Sequence, residues 1–161
     1  LANRPGHVIV AHVRKATVGP ISLANTHPFR RGRFVFAHNG TLDPAPRAPR
    51  TAPEHAAAIT GDTDSERLFA FLLTQVDAAG STARGLAAAV GVLHGLAGSM
   101  NFLFSCGAHI YAHRFGRSLF VAHRPGVALV ASEPLTDEPW HELPDRTLLE
   151  LEPGAPAALA A

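Results

Sequence analysis

Gly61-Asp62-Thr63-Asp64-Ser65-Glu66, with the residues behind it, decides the fold. Thr63 to Glu66 has the form of a capping box, Thr63 as the N-cap and Glu66 reaching back to it. Leu68, Phe69, Leu72, Leu73 and Val76 then fall on one helical stripe that ends near Gly80. Ser81 opens a second helix, Thr82 to about Leu96, whose Leu86, Val90, Leu93 and Ala97 face one way.

On either side of this helix pair the period changes. Upstream, His7 to Val13 is β-branched and apolar and reads as a strand buried on both faces. Arg33 to His38 reads as another strand, closed by Asn39-Gly40, which is turn chemistry. Residues 43–53 hold four prolines among small residues and arginines, the composition of a surface loop. Downstream, Met100 to Cys106, His109 to Arg114, Ser118 to His123, Val127 to Ser132 and Thr147 to Leu151 read as short strands joined by Gly and Pro turns. Strands, two helices and then a meander of strands argue for α+β layers. A single domain over residues 1–153 is expected, with a low-complexity tail over 154–161 that carries no clear structural role.

Composition narrows the classes of function. A chain of 161 residues with 47% hydrophobic content is long enough for one sizeable core. A formal charge of +1 gives no reason to expect a nucleic-acid or anionic-membrane partner. No apolar run is long enough to span a bilayer, and no basic-then-apolar signal pattern opens the chain. The single cysteine, Cys106, cannot form an internal disulfide, so a reducing cytoplasm is the expected location.

Four polar motifs flank the apolar segments: Ala11-His12-Val13-Arg14-Lys15-Ala16-Thr17, Asn25-Thr26-His27-Pro28, Phe36-Ala37-His38-Asn39-Gly40 and Gly61 to Glu66. Each has an ordinary reading alone, as a strand-end arginine, a turn or a helix cap. In this order and spacing they resemble the glutamine pocket of a class II glutamine amidotransferase, an N-terminal-nucleophile hydrolase. Ala131 to Leu135, Glu138-Pro139-Trp140, Asn101 to Leu103 and Tyr111 to Arg114 resemble its small stand-alone branch, which includes amidohydrolases acting on γ-glutamyl compounds. Lys15-Ala16-Thr17-Val18 departs from the synthase branches, which usually carry Trp after the arginine and His after the threonine.

The resemblance implies a four-layer α/β/β/α sandwich and a chemistry. In the family an N-terminal cysteine attacks the side-chain amide, and its own α-amine, titrating at about 7.7–8.0, serves as base. Two donors aimed at the resulting oxyanion lower the barrier by about 3–4 kcal/mol each. Asn39, through its side-chain NH₂, and Gly40, through its backbone N–H, match that catalytic pair. Arg14 matches the arginine that forks onto the substrate α-carboxylate. Asp64 matches the aspartate that accepts from the α-ammonium, and its place in the first helical turn favours the ionised form. Thr17 and His27 match further pocket-lining positions. The chain opens at Leu1 ahead of an apparent strand, so loss or processing of an upstream segment bearing the nucleophile is expected, and with it no turnover by the chain as given. A small-molecule substrate is implied, an ammonia-accepting synthase is a partner the family can have, and no cofactor is implied.

His109 and His113, four residues apart on one face of an expected strand, are the first candidates for a metal. No carboxylate or cysteine stands near them at recognisable ligand spacing and no His-Glu-x-x-His occurs, so no metal centre is expected. Cys106, inside a strand-like run, reads as a small buried residue.

Overall fold

Thr63 sits in extended conformation and its hydroxyl accepts from the Glu66 N–H at 3.3 Å, which starts a helix running from Asp64 to Ala79. The helix stops where Gly80 takes φ 61°, the left-handed conformation glycine adopts most cheaply. In the computed structural model, which describes residues 8–13, 20–42, 50–107, 109–152 and 158–159, this helix is α2. It follows a short α1 (Pro53–Ala57) and precedes α3 (Thr82–Leu93), capped by Ser81. Leu68, Phe69, Leu72, Leu73 and Val76 are all buried, as the stripe predicts. α3 ends three residues before Leu96, with His94 as its C-cap, and Ala97 is exposed rather than part of the buried face. A Cβ on Gly85 would lie 2.4 Å from Val76 Cα, so this glycine permits the close approach of α2 and α3.

Both helices cover one face of a six-stranded antiparallel sheet made of β1 (Phe29–Arg31), β2 (Phe34–Leu42), β3 (Gly98–Ser105), β4 (Ile110–Arg114), β8 (Thr147–Leu151) and β9 (Ala158–Leu159), in the order β1-β2-β3-β4-β8-β9. β5 (Phe120–Arg124), β6 (Val127–Ala131) and β7 (His141–Glu142) form a second sheet ordered β6-β5-β7. One core lies between helices and sheet, where Phe36, Phe69, Phe102 and Phe104 meet Leu72, Leu86 and Met100. A second core joins the two sheets through Ala112, Val121, Leu143, Leu149 and Leu151. The layers are therefore α/β/β. A second helical layer has no counterpart among the described residues.

Four further features differ from the sequence reading. Asn39-Gly40 does not turn: β2 runs through it to Leu42, paired with β3 as Asn39↔Asn101 and Gly40↔Met100. The glycine is needed because a Cβ there would lie 1.9 Å from the Ser99 carbonyl oxygen. Residues 8–13 form no strand. Val8, Val10 and His12 are half-buried while Ile9 and Val13 are 66% and 97% exposed, and no described strand pairs with them. A β-branched run prefers to be extended, but neighbours make it a strand. Glu66 does not close the capping box on Thr63: its buried carboxylate accepts instead from the Thr60 N–H at 3.0 Å and the Gly61 N–H at 2.6 Å. Finally, part of the tail has a place, since Leu159 and Ala158 pair with Leu149 and Glu150.

Candidate active site

β1 covers only the stretch of β2 from Phe34 to Phe36. Beyond it, the Nε2–H of His12 donates to the His38 carbonyl at 3.1 Å, and the His12 ring packs 4.4 Å from that of His27. His27 is itself buried, edge-on to Phe29 at 4.6 Å. The imidazole of His38 points to the helix side of the sheet. Its Nε2 lies 3.3 Å from the Ser99 carbonyl, which can only accept, so Nε2 carries the proton. Nδ1 is then the acceptor for the Ser65 hydroxyl at 2.9 Å. Burial lowers the His38 pKa, assisted by the His12 and Arg117 charges and opposed by Asp64 and by the bond to Ser99, so the ring stays neutral.

The helix start is tied to the same strand by a second bond. Asp64 Oδ2 accepts from the Leu42 N–H at 2.7 Å, while Oδ1 accepts from the Ser65 N–H at 2.9 Å. A carboxylate here also meets the positive end of the α2 dipole. Asp64 is half-buried, so it retains a solvent-facing side.

A buried frame fixes the loop leading into α2. Asn25, 1% exposed, accepts from the Asp62 N–H at 2.9 Å and donates to the Pro20 carbonyl at 3.0 Å. Gly61 fits beneath it, for a Cβ would stand 2.3 Å from Asn25 Oδ1. Glu66 accepts from the N–H groups of Thr60 at 3.0 Å and Gly61 at 2.6 Å and pairs with Arg31 at 2.8 Å. Burial pushes its carboxyl pKa up, but those donors and the guanidinium outweigh burial and hold it below the usual range.

Asn39, Gly40, His27 and Asp64 are thus gathered around one end of β2. Asn39 is exposed there, and by strand alternation its side chain leaves the face opposite to His38. Arg14 and Thr17, like Lys15 and Val18, lie outside the described residues. Sequence reasoning nominated His27 from its motif but passed over Asn25, and it nominated Asp64 while passing over Ser65 and Glu66. Each of the three stands inside a quoted motif, so the signal was present. Cys106 is half-buried just past the end of β3, five residues beyond Asn101 and so about 17 Å along the strand from Asn39.

The sequence profile of the glutamine amidotransferases class-II matches residues 5–126. The chain belongs to this family. Among curated relatives, gamma-glutamyl-hercynylcysteine sulfoxide hydrolase of Mycolicibacterium smegmatis is 34% identical over 146 residues, covering 89% of this chain and 60% of the relative. Its Mycobacterium tuberculosis (strain H37Rv) counterpart is 36% identical over 149 residues, covering 90% of this chain and 59% of the relative. This class II amidotransferase chain therefore spans about 60% of the length of the first of these relatives. A glutamine aminotransferase class-II domain protein from Silicibacter pomeroyi superposes with a TM-score of 0.63 at 28% identity, over 87% of this chain and 73% of that one. Glutamine phosphoribosylpyrophosphate amidotransferase from Bacillus subtilis, 20% identical, shares the fold with a TM-score of 0.67 over 92% of this chain and 34% of that one. The α+β architecture is that of the N-terminal-nucleophile amidotransferases, as the sequence reading expects. No helix among the described residues is long and apolar enough to cross a membrane.

Proposed function

We propose that this class II amidotransferase domain binds the amino-acid end of glutamine or a γ-glutamyl amide, and that the complete protein hydrolyses that amide through a cysteinyl thioester. In this reading Asn39 and Gly40 stabilise the oxyanion, Arg14 receives the α-carboxylate, Asp64 receives the α-ammonium, and Thr17 and His27 line the pocket. The observation that carries it is the double tie between β2 and the start of α2, from Leu42 N–H to Asp64 at 2.7 Å and from Ser65 to His38 at 2.9 Å. It holds the Asp64 carboxylate and the Asn39-Gly40 dipeptide at a fixed spacing, which supports the proposed roles because transition-state stabilisation needs such preorganisation.

The hydrolase names of the mycobacterial relatives support a γ-glutamyl compound as the small-molecule substrate, in preference to transfer of ammonia to a synthase partner. Cys106 lies about 17 Å along the strand from Asn39, so this reading gives it no part in the attack on the amide. A cytoplasmic location is consistent with one free thiol. The test is ligand-induced stabilisation. L-Glutamate or a γ-glutamyl dipeptide raises the melting temperature of the folded chain, and Arg14→Ala removes the rise. A well-folded chain that shows no shift, or a shift that survives Arg14→Ala, rules the pocket assignment out.

A further inference from the structure

The two sequence-distant ends of β4 and β8 bring together a group that spacing alone does not reveal. Ile110 pairs with Leu151 and Tyr111 with Glu150. Strand alternation then places His109 and Tyr111 on the same face as Glu150 and Glu152. His109 Nδ1 lies 2.7 Å from Glu150 Oε1 and 4.0 Å from Glu152 Oε1, and one ligand atom from each of the three residues falls within 4.8 Å of the others. The expectation that His109 lacks carboxylate partners is thereby corrected.

Two further observations mark this group as more than a surface ion pair. Tyr111, buried in the helix-side core, donates its hydroxyl to Glu150 Oε1 at 2.7 Å and so fixes that carboxylate. Among the described residues neither glutamate pairs with Arg or Lys, whereas Glu66, Glu138 and Glu142 all do. An imidazole supplies at most one positive charge against two carboxylates held on one face.

We propose that His109, Glu150 and Glu152 bind a divalent transition-metal ion of the Zn²⁺ type. Nitrogen and carboxylate ligands at about 2.0–2.2 Å from zinc stand about 3.3–3.6 Å apart in a tetrahedron, between the two separations seen here. Small side-chain rotations therefore suffice. On binding, the His109 ring carries its proton on Nε2 and Nδ1 turns its lone pair to the metal. Glu150 exchanges the His109 contact for the metal while Tyr111 continues to hold it from behind. The two carboxylates neutralise the ion, and water completes the coordination. One imidazole with two carboxylates favours Zn²⁺, Co²⁺ or Ni²⁺ over Mg²⁺ and Ca²⁺, which demand more oxygen ligands. The group lies near Cys106, at the opposite end of the sheet from Asn39, so its effect is to staple β4 to β8 rather than to act on the amide.

Titration calorimetry with Zn²⁺, together with thermal melts, tests this on the full chain. One ion binds per chain and raises the melting temperature, and Mg²⁺ does neither. His109→Gln and Glu152→Gln each weaken Zn²⁺ binding by at least about tenfold, and Tyr111→Phe weakens it by about tenfold through Glu150. Glu152 is exposed and makes no side-chain hydrogen bond among the described residues, so Glu152→Gln folds normally and keeps the test informative. No binding by the wild type, or binding of unchanged affinity in both ligand variants, overturns the site and assigns any uptake to other histidines.

Discussion

Asp64 Oδ2 and the Leu42 N–H, 2.7 Å apart, join the first turn of α2 to the strand that carries Asn39 and Gly40. Replacing Asp64 by Asn keeps one acceptor but presents an NH₂ to one of two backbone N–H donors. The expected cost is about 1 kcal/mol of stability, seen as a fall of about 2–4 °C in melting temperature. With Asp64 as the proposed acceptor for the α-ammonium, the response to γ-glutamyl ligands is expected to be lost altogether. Differential scanning fluorimetry with and without L-glutamate separates the two effects. A ligand shift that persists in Asp64→Asn removes Asp64 from the pocket.

Two glycines are expected to respond to alanine in opposite directions. Gly40→Ala places a methyl 1.9 Å from the Ser99 carbonyl oxygen, and forcing β2 and β3 apart costs about 2–3 kcal/mol. Gly91, in α3, has nothing within 4 Å of a Cβ, so Gly91→Ala stabilises by about 0.5–1 kcal/mol through helix propensity. Urea unfolding of both variants measures the contrast, and equal changes in the two would refute the close approach at Gly40.

Glu66 predicts a pH-dependent gap between wild type and Glu66→Gln. Its folded pKa is depressed, so its contribution is complete above the unfolded value of about 4.3 and is lost as pH falls through the lower folded value. Arg31 is a third exposed, which screens the pair, and we expect about 2–3 kcal/mol at neutral pH. Unfolding free energies of the two proteins should converge in acid. A gap that stays constant with pH would mean the carboxylate contributes by shape alone.

The histidine pair under α3 should make stability fall earlier, on the mildly acidic side. His113 Nδ1 donates to the Met100 carbonyl at 2.8 Å, so its bare Nε2 accepts from His94 Nε2–H at 3.1 Å. Burial, with the His94 charge adding and the Met100 bond opposing, lowers the His113 pKa to about 4. The unfolded chain takes up that proton near pH 6.5, so stability is full above this value and declines as pH falls toward the folded value. The loss amounts to about 2–3 kcal/mol between about pH 7 and pH 4.5. Denaturant melts across this range should show a shallower slope for His113→Gln.

α2 and α3 were legible in the sequence because their signals are local: Thr63 and Ser81 cap, Gly80 stops, and the apolar stripe repeats every turn, whereas the five-residue α1 is too short to show a stripe. β8 was read to its observed ends for a similar reason. What escaped was set by partners distant in the chain. Asn39-Gly40 looks like a turn until Ser99 is laid beside it. Glu66 looks like a capping-box residue until the Thr60 and Gly61 N–H groups and Arg31 offer stronger bonds. β1 and β7 are three and two residues long, too short to show a period. His109 and Glu150 are 41 residues apart, and only the β4–β8 register brings them together.

The extended setting of Asn39-Gly40 also bears on the protein's chemical ageing. In a loose turn, the backbone nitrogen of a following glycine readily attacks the asparagine side-chain amide carbon and expels ammonia, forming a succinimide that water opens to aspartate and isoaspartate. That cyclisation needs the backbone to swing, and pairing with Asn101 and Met100 on β3 denies it the movement. The ladder that orients the dipeptide therefore also preserves it, and storage damage at Asn39 should track partial unfolding of β2 rather than elapsed time alone.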